Sequence, residues 1–320
     1  MNFKMSDIKF GAGVEKNLKS VKEDFKKHGV FYSSDKMAQE LKALLPQDVK
    51  EVYDPTCGAG SLLKVFDDDV KKYGQELDAG QAEIAQNSLK NAEVIAGDTL
   101  VNPAFKTKKF KAIIANPPFS VKWDADALKN DERFKCLPAL PPKSKADYAF
   151  IAHILNYLAD DGIAVCLCFP GVTYRGNAEG KIRKWLIEQN FVKEVHYFQG
   201  DYFVDTKIAT VALVLSKHKT TRDILFYDHE KNLKRAVTAK EVADNGFCLS
   251  VSFYVQEEKK KEPYDSKAEA LKSVERFKKH LALELKYFRS VNELEKILFR
   301  REIIDFTEFK ADLHSIISKG

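Results

Sequence analysis

The sequence is short of the residues that staple or anchor a chain. Its five cysteines, Cys57, Cys136, Cys166, Cys168 and Cys248, are scattered, odd in number and form no CxxC pair. That argues against a disulfide framework and offers no thiolate set for a metal, so no metal site is expected. Cys166 and Cys168 lie in an apolar run, 163–169, that reads as a buried strand. No apolar run approaches the ~20 residues that a bilayer-spanning helix requires, so no membrane partner is expected. The opening MNFKMSDIKFGAG lacks the apolar stretch of a signal peptide. A reducing, cytoplasmic compartment is therefore the expectation. A strong excess of one charge sign is missing too. The 52 Lys and Arg against 47 Asp and Glu leave a net charge of +5, compatible with nucleic acid but shared by many ordinary enzymes.

What is present suits a folded α/β protein. The 320 residues, 44% hydrophobic, are enough for one large domain with an appendage or for two modest domains. Residues 1–30 carry Val14, Leu18, Val21 and Phe25 at helical spacing. Ser34 and Asp35 offer an N-cap for a helix through Met37, Leu41, Leu44 and Leu45, closed by Pro46. Strands are then expected over 51–53, 73–77, 92–96, 110–115, 162–169, 191–198 and 208–216, with helices over 61–73, 79–91, 146–158 and 180–189. Such alternation predicts a doubly wound, mostly parallel sheet with right-handed crossovers. Beyond 217 the pattern changes to an edge strand at 224–227, a charge run at 257–261 and helical spacing over 267–301. The expected organisation is a short N-terminal helical segment at 1–30, a catalytic domain at 31–255 and a C-terminal helical segment at 256–320.

The first strand runs into Asp54-Pro55-Thr56-Cys57-Gly58-Ala59-Gly60-Ser61. Glycines there permit positive φ and close backbone approach to a ligand. Ligands of open α/β sheets bind at strand carboxyl ends. An acid at the turn's start favours a cationic amine over a pyrophosphate, and the spacing is one residue too tight for GxGxxG. The second strand ends in Gln75-Glu76-Leu77-Asp78, where Glu76 is placed to bond ribose hydroxyls and Asp78 to cap the next helix. Asp98 follows the third strand and faces an adenine amino group in this reading. Singly, Asp54 or Asp98 reads as a turn or cap residue, and Gly58 and Gly60 as a tight turn. Together, three acids at three successive strand ends suit a nucleoside carrying an amino acid, which describes S-adenosylmethionine.

The fourth strand runs into Asn116-Pro117-Pro118-Phe119. Two prolines fix φ and remove two N–H donors, leaving the Asn116 side-chain oxygen and the Pro117 carbonyl as aimed acceptors. An exocyclic amine on a base is a poor nucleophile because its lone pair is delocalised. Two acceptors holding its hydrogens favour a pyramidal nitrogen. Phe119 offers a face for an extruded base, a stacking interaction of about 1–3 kcal/mol. Neither a metal nor a strong base is required. A rigid post-strand turn is the bland alternative for these four residues.

In this order, residues 54–60, Glu76, Gly97-Asp98 and Asn116-Pro117-Pro118-Phe119 resemble the motifs of amino-methylating DNA methyltransferases. Further strings narrow the resemblance: 116–123, Arg133-Phe134, 144–150 (SKADYAF), 170–176 (PGVTYRG) and 206–215. Together they resemble the modification subunit of type I restriction-modification systems over about residues 28–255. The resemblance implies an S-adenosylmethionine-dependent DNA adenine-N6 methyltransferase. It implies that Phe31, Tyr32 and Ser33 line the methionine end of the cofactor, with Ser34 where the family carries proline. It further implies that Thr56, Gly58, Ala59, Gly60, Ser61 and Asn116 contact the cofactor. The implied partners are DNA, a DNA-specificity subunit, a second modification subunit and a restriction subunit. The chain looks like a compact version lacking the family's long N-terminal helical region.

Two segments stay open on the sequence alone. Residues 122–145, with Trp123, are either a lid over the base or a disordered loop. Lys181, Arg183 and Lys184 either touch phosphate or form a solvated helix face. No segment remains for a separate recognition domain, so specificity is expected from another subunit, with residues 263–320 as its docking element or as a pair packed on their own domain. The competing functions are a glutamine or RNA amino-group methyltransferase, more often with Tyr at position 119, and an inactive scaffold subunit.

Overall fold

The computed structural model describes residues 34–199, 209–256, 271–280, 283 and 286. The chain divides into two compact units, Met1–Glu257 and Glu258–Gly320. The N-terminal segment 1–30 and the motif at 31–33 lie outside the described residues.

The first unit is built on one nine-stranded sheet. Its strands are β1 (Glu51–Asp54), β2 (Lys71–Glu76), β3 (Ala92–Ala96), β4 (Phe110–Ala115), β5 (Leu158–Cys168), β6 (Val192–Phe198), β7 (Thr210–Ser216), β8 (Ile224–Asp228) and β9 (Leu233–Val237). They lie in the order β3-β2-β1-β4-β5-β7-β6-β8-β9. The pairs β1·β2, β1·β4, β2·β3, β4·β5 and β6·β8 are parallel, whereas β7 enters antiparallel between β5 and β6. The antiparallel β9 closes one edge. The 224–227 strand was expected at that edge. It is the inner neighbour of β9, whose mostly exposed LKRAV carries no alternating signal to announce it.

Helices cover both faces, as a doubly wound sheet requires. Val52, Ala112, Ile114, Val165, Leu167, Ala212 and Val214 alternate onto one face and pack against α1 (Asp35–Ala43) and α2 (Ala79–Ser88). Tyr53, Ile113, Ala164, Cys166 and Leu213 point the other way. They meet α5 (Asp147–Tyr157) and α6 (Asn177–Glu188). Ser34 caps α1, accepting from Met37 N at 3.2 Å. Between β4 and α5 sit two single-turn helices, α3 (Ala125–Leu128) and α4 (Glu132–Lys135). After β9 come α7 (Ala239–Asp244) and α8 (Val251–Tyr254).

The helix expected over 61–73 is not there. Residues 61–70 are a succession of turns, and β2 already starts at Lys71. Leu62, Leu63, Phe66 and Val70 bury as a helix would have buried them. The run Asp67-Asp68-Asp69 follows, and aspartate side chains compete with the backbone for its hydrogen bonds. The buried Lys72 then draws the carbonyls of Asp67 and Val70 to its Nζ at 2.7 and 3.0 Å. In the second unit, residues 271–280 are helical and exposed, Leu271, Val274 and Phe277 among them.

Candidate active site

The strand order reverses between β1 and β4, and ligands of such sheets bind at strand carboxyl ends beside that reversal. The register sets Tyr53 beside Ile113, Asp54 beside Gly74 and Glu76 beside Ala96. The turn after β1, Glu76, Asp98 and Asn116-Pro117-Pro118-Phe119 therefore all lie at the carboxyl ends of four neighbouring parallel strands.

The turn at 54–60 is tightly made. Asp54 is 1% exposed and accepts from Thr56 N at 3.0 Å. Burial pushes its carboxyl up to about 8, against the Thr56 N–H and reinforced by the nearby Glu76 charge. Cys57 N donates to Gln75 O, and Gly60 N to Cys57 O. Gly58 and Gly60 have φ of +54° and +87°, and a Cβ on Gly60 would lie 2.8 Å from Leu89 Cδ1 of the α2 cap. Both glycines are thus conformational requirements. Ala59 and Ser61 complete the turn half-buried. The Cys57 thiol is pushed up by burial and packs where Gly74 has no side chain, so it is an inert filler.

Glu76 uses each carboxylate oxygen once: Oε2 accepts from Gly58 N at 2.8 Å, and Oε1 from Asp78 N at 2.9 Å. It locks the β1 turn to the end of β2 and still has lone pairs to offer hydroxyl donors. Asp78 caps α2, accepting from Gln81 N. Asp98 accepts from Leu100 N and Val101 N through Oδ1, at 2.8 and 3.2 Å. It is a turn-former at the strand end, with Oδ2 left over among the described residues. The residues present fit a cofactor with a cationic amine, a ribose and a purine amino group.

Asn116 and Phe119 are half-buried, with Pro117 buried between them. The Phe119 ring lies 6.5 Å from that of Phe169, at 53°. Of the two readings of 122–145, the disordered loop is the one the structure overturns: Trp123 Nε1 donates to Pro142 O at 2.9 Å and its ring meets Phe134 edge-on at 5.1 Å. Arg183 corrects a second expectation. It is 4% exposed and donates to the carbonyls of Phe247 and Arg175 at 2.7 Å, so it can neither reach phosphate nor form a solvated face. Lys181 and Lys184 are the exposed members of that trio.

Sequence reasoning gave no role to the scaffold beneath the site. Thr99 Oγ1 donates to Pro55 O at 2.6 Å, tying the β3 end to the turn. Arg133 donates to Thr99 O and Leu100 O and meets His153 Nδ1 at 3.0 Å. His153 Nε2 in turn meets the Tyr53 hydroxyl at 3.1 Å. Burial and Arg133 hold His153 well below the usual histidine range, so it stays neutral. Arg133 lay inside a family-like string, the only signal that pointed to it.

Among the described residues no group of His, Cys, Asp and Glu is arranged to hold a metal, and no helix is long and apolar enough to cross a membrane. The fold is the α/β fold of S-adenosylmethionine-dependent methyltransferases. More narrowly, the model of the N-6 DNA Methylase family matches residues 7–242, and the chain belongs to that family. It is 30% identical over 302 residues to the Type I restriction enzyme MpnII methylase subunit of Mycoplasma pneumoniae, covering 76% of this chain and 56% of that one. It is 27% identical to the HindI methylase subunit of Haemophilus influenzae, covering 63% and 50%. Among solved structures, the type I restriction-modification system methyltransferase subunit from Streptococcus thermophilus superposes with a TM-score of 0.66 at 28% identity. It covers 72% of this chain and 60% of that one. The chain thus spans about half the length of these curated relatives.

Proposed function

We propose that the chain transfers a methyl group from S-adenosylmethionine to the N6 amine of an extruded adenine in DNA, as the modification subunit of a type I assembly. The observation that carries this is the adjacency of β1 and β4. It sets the turn at 54–60 and Glu76 at the same carboxyl end of the sheet as Asn116-Pro117-Pro118-Phe119. When bound, the cofactor supplies an electrophilic methyl group. Asp54 faces its amine, Glu76 its ribose hydroxyls and Asp98 the adenine amino group, while Thr56, Gly58, Ala59, Gly60 and Ser61 bring backbone close. Phe31, Tyr32 and Ser33 line its methionine end by family resemblance alone.

Asn116 Oδ1 and the Pro117 carbonyl accept the two N6 hydrogens of the target base. That turns the nitrogen lone pair out of the ring plane and toward the methyl group. Phe119 stacks on the base and excludes water from one face. Once the N–C bond forms, the nitrogen sheds one of its two original protons to solvent, so no strong base is needed. The work is positioning and electrostatics.

Partner choice rests on two supports. The relatives are named as methylase subunits of type I restriction enzymes, and the helix at 271–280 exposes Leu271, Val274 and Phe277. We assign residues 256–320 to docking of a DNA-specificity subunit and 31–255 to catalysis, in a cytoplasmic complex that can include a second copy and a restriction subunit. Single-molecule sequencing of host DNA, with the gene intact and with Asn116→Ala, tests the reading. N6-methyladenine should vanish from one split, two-part motif. An unchanged methylation pattern would exclude the assignment.

A further inference from the structure

Behind Phe119 lies a buried ionic cluster without a part in the chemistry above. Arg175 follows the 3-10 turn Pro170–Thr173. Its Nη1 is 3.2 Å from Glu179 Oε1 and 3.8 Å from Asp147 Oδ2. Its Nη2 donates to Ser120 Oγ at 3.4 Å, and its guanidinium carbon sits 5.6 Å from the Phe169 ring centroid. Asp147 Oδ1 meanwhile accepts from Ser120 N at 3.4 Å. The side chains of Asp147 and Glu179 are 3% and 5% exposed and that of Arg175 is 17% exposed.

Ser120 is the hinge of this arrangement. Its φ is +53°, a left-handed conformation that a non-glycine residue holds only when its surroundings impose it. It directly follows Phe119, so its conformation sets where that ring points. Gly171 supplies a second, independent observation. A Cβ there would lie 2.3 Å from Arg175 Nε and 2.5 Å from Cζ. The φ of Gly171 is outside the left-handed region, so space for the guanidinium, rather than backbone freedom, is what the missing side chain provides.

We propose that Arg175 is a positioning residue: clamped by Asp147 and Glu179 in the space left by Gly171, it fixes Ser120 and Phe169 and so aims the Phe119 face that receives the base. Its catalytic meaning rests on the proposed role of Phe119. A planar fork that bonds at its edge and stacks on its face is needed, so lysine cannot substitute.

The test uses Arg175→Ala, Arg175→Lys and Gly171→Ala in the 320-residue chain, with two readouts. Amide hydrogen exchange over 116–121, measured without cofactor or DNA, should accelerate at least tenfold in all three, while the Ile151–Ile154 core of α5 keeps its protection. Methyl transfer, measured with the specificity subunit, should lose tenfold or more in kcat with KM for the cofactor within threefold. Free guanidinium should restore Arg175→Ala but not Gly171→Ala, where the space is filled. Wild-type protection of 116–121 in Arg175→Ala and Gly171→Ala would overturn the inference, as would equal loss of protection throughout α5. If the exchange pattern appears but the wild-type chain methylates no DNA, the clamp stands and the functional reading falls.

Discussion

At neutral pH the buried Asp54 carboxyl holds its proton, because burial raises it to about 8. The unfolded chain would ionise it near 4. Between those limits the folded state binds more protons than the unfolded one, so this group's contribution to stability is greatest below pH 4. It declines as pH rises and levels off above about 8. Asp54→Asn keeps an acceptor for Thr56 N and removes the titration. The variant should match wild type near pH 4.5 and exceed it at pH 8.5 by a few kcal/mol, at about 1.4 kcal/mol per pH unit. Thermal unfolding across that range is the measurement, and parallel curves would mean that the carboxyl is already ionised in the fold. A cationic ligand amine beside Asp54 would draw the proton off, so wild-type cofactor binding should release a proton that the asparagine variant does not.

Elements carried by strong local signals were legible in the sequence. β3 and β4 occupy the expected 92–96 and 110–115, and Ser34 and Asp78 cap the helices they announce. The acids and the Asn116 turn could be placed because strand ends are where such a sheet binds ligands. The clamps were not legible, because a buried arginine looks like any surface arginine until the carbonyls and carboxylates that the fold brings to it are known. Arg183 in α6 shows this well: it holds the carbonyls of Val172, Arg175 and Phe247, joining α6 to the segments on either side. Arg183→Ala should cost about 3 kcal/mol, since buried carbonyls lose a charged donor, read as a lower urea midpoint at constant m. A loss under 0.5 kcal/mol would show that water replaces it.

For the molecule as a whole, β7 matters most for assembly. It is the strand buried at all seven positions, and it fills the gap between β5 and β6. A chain made from its N-terminus finishes β5 at Cys168 but completes β7 only at Ser216. At roughly 5–20 residues per second, that leaves the apolar β5 with an open edge for about 2–10 s of synthesis. Such edges invite pairing with other chains. Nascent chains released at residue 208 should therefore precipitate where chains released at 256 stay dispersed, a difference that sedimentation after translation in vitro would show; equal recovery would mean that β5 is shielded by another route. The strand that covers the open edge of β5 is also the one that makes the protein dangerous to synthesise slowly, so a cell should profit from fast codons between the two.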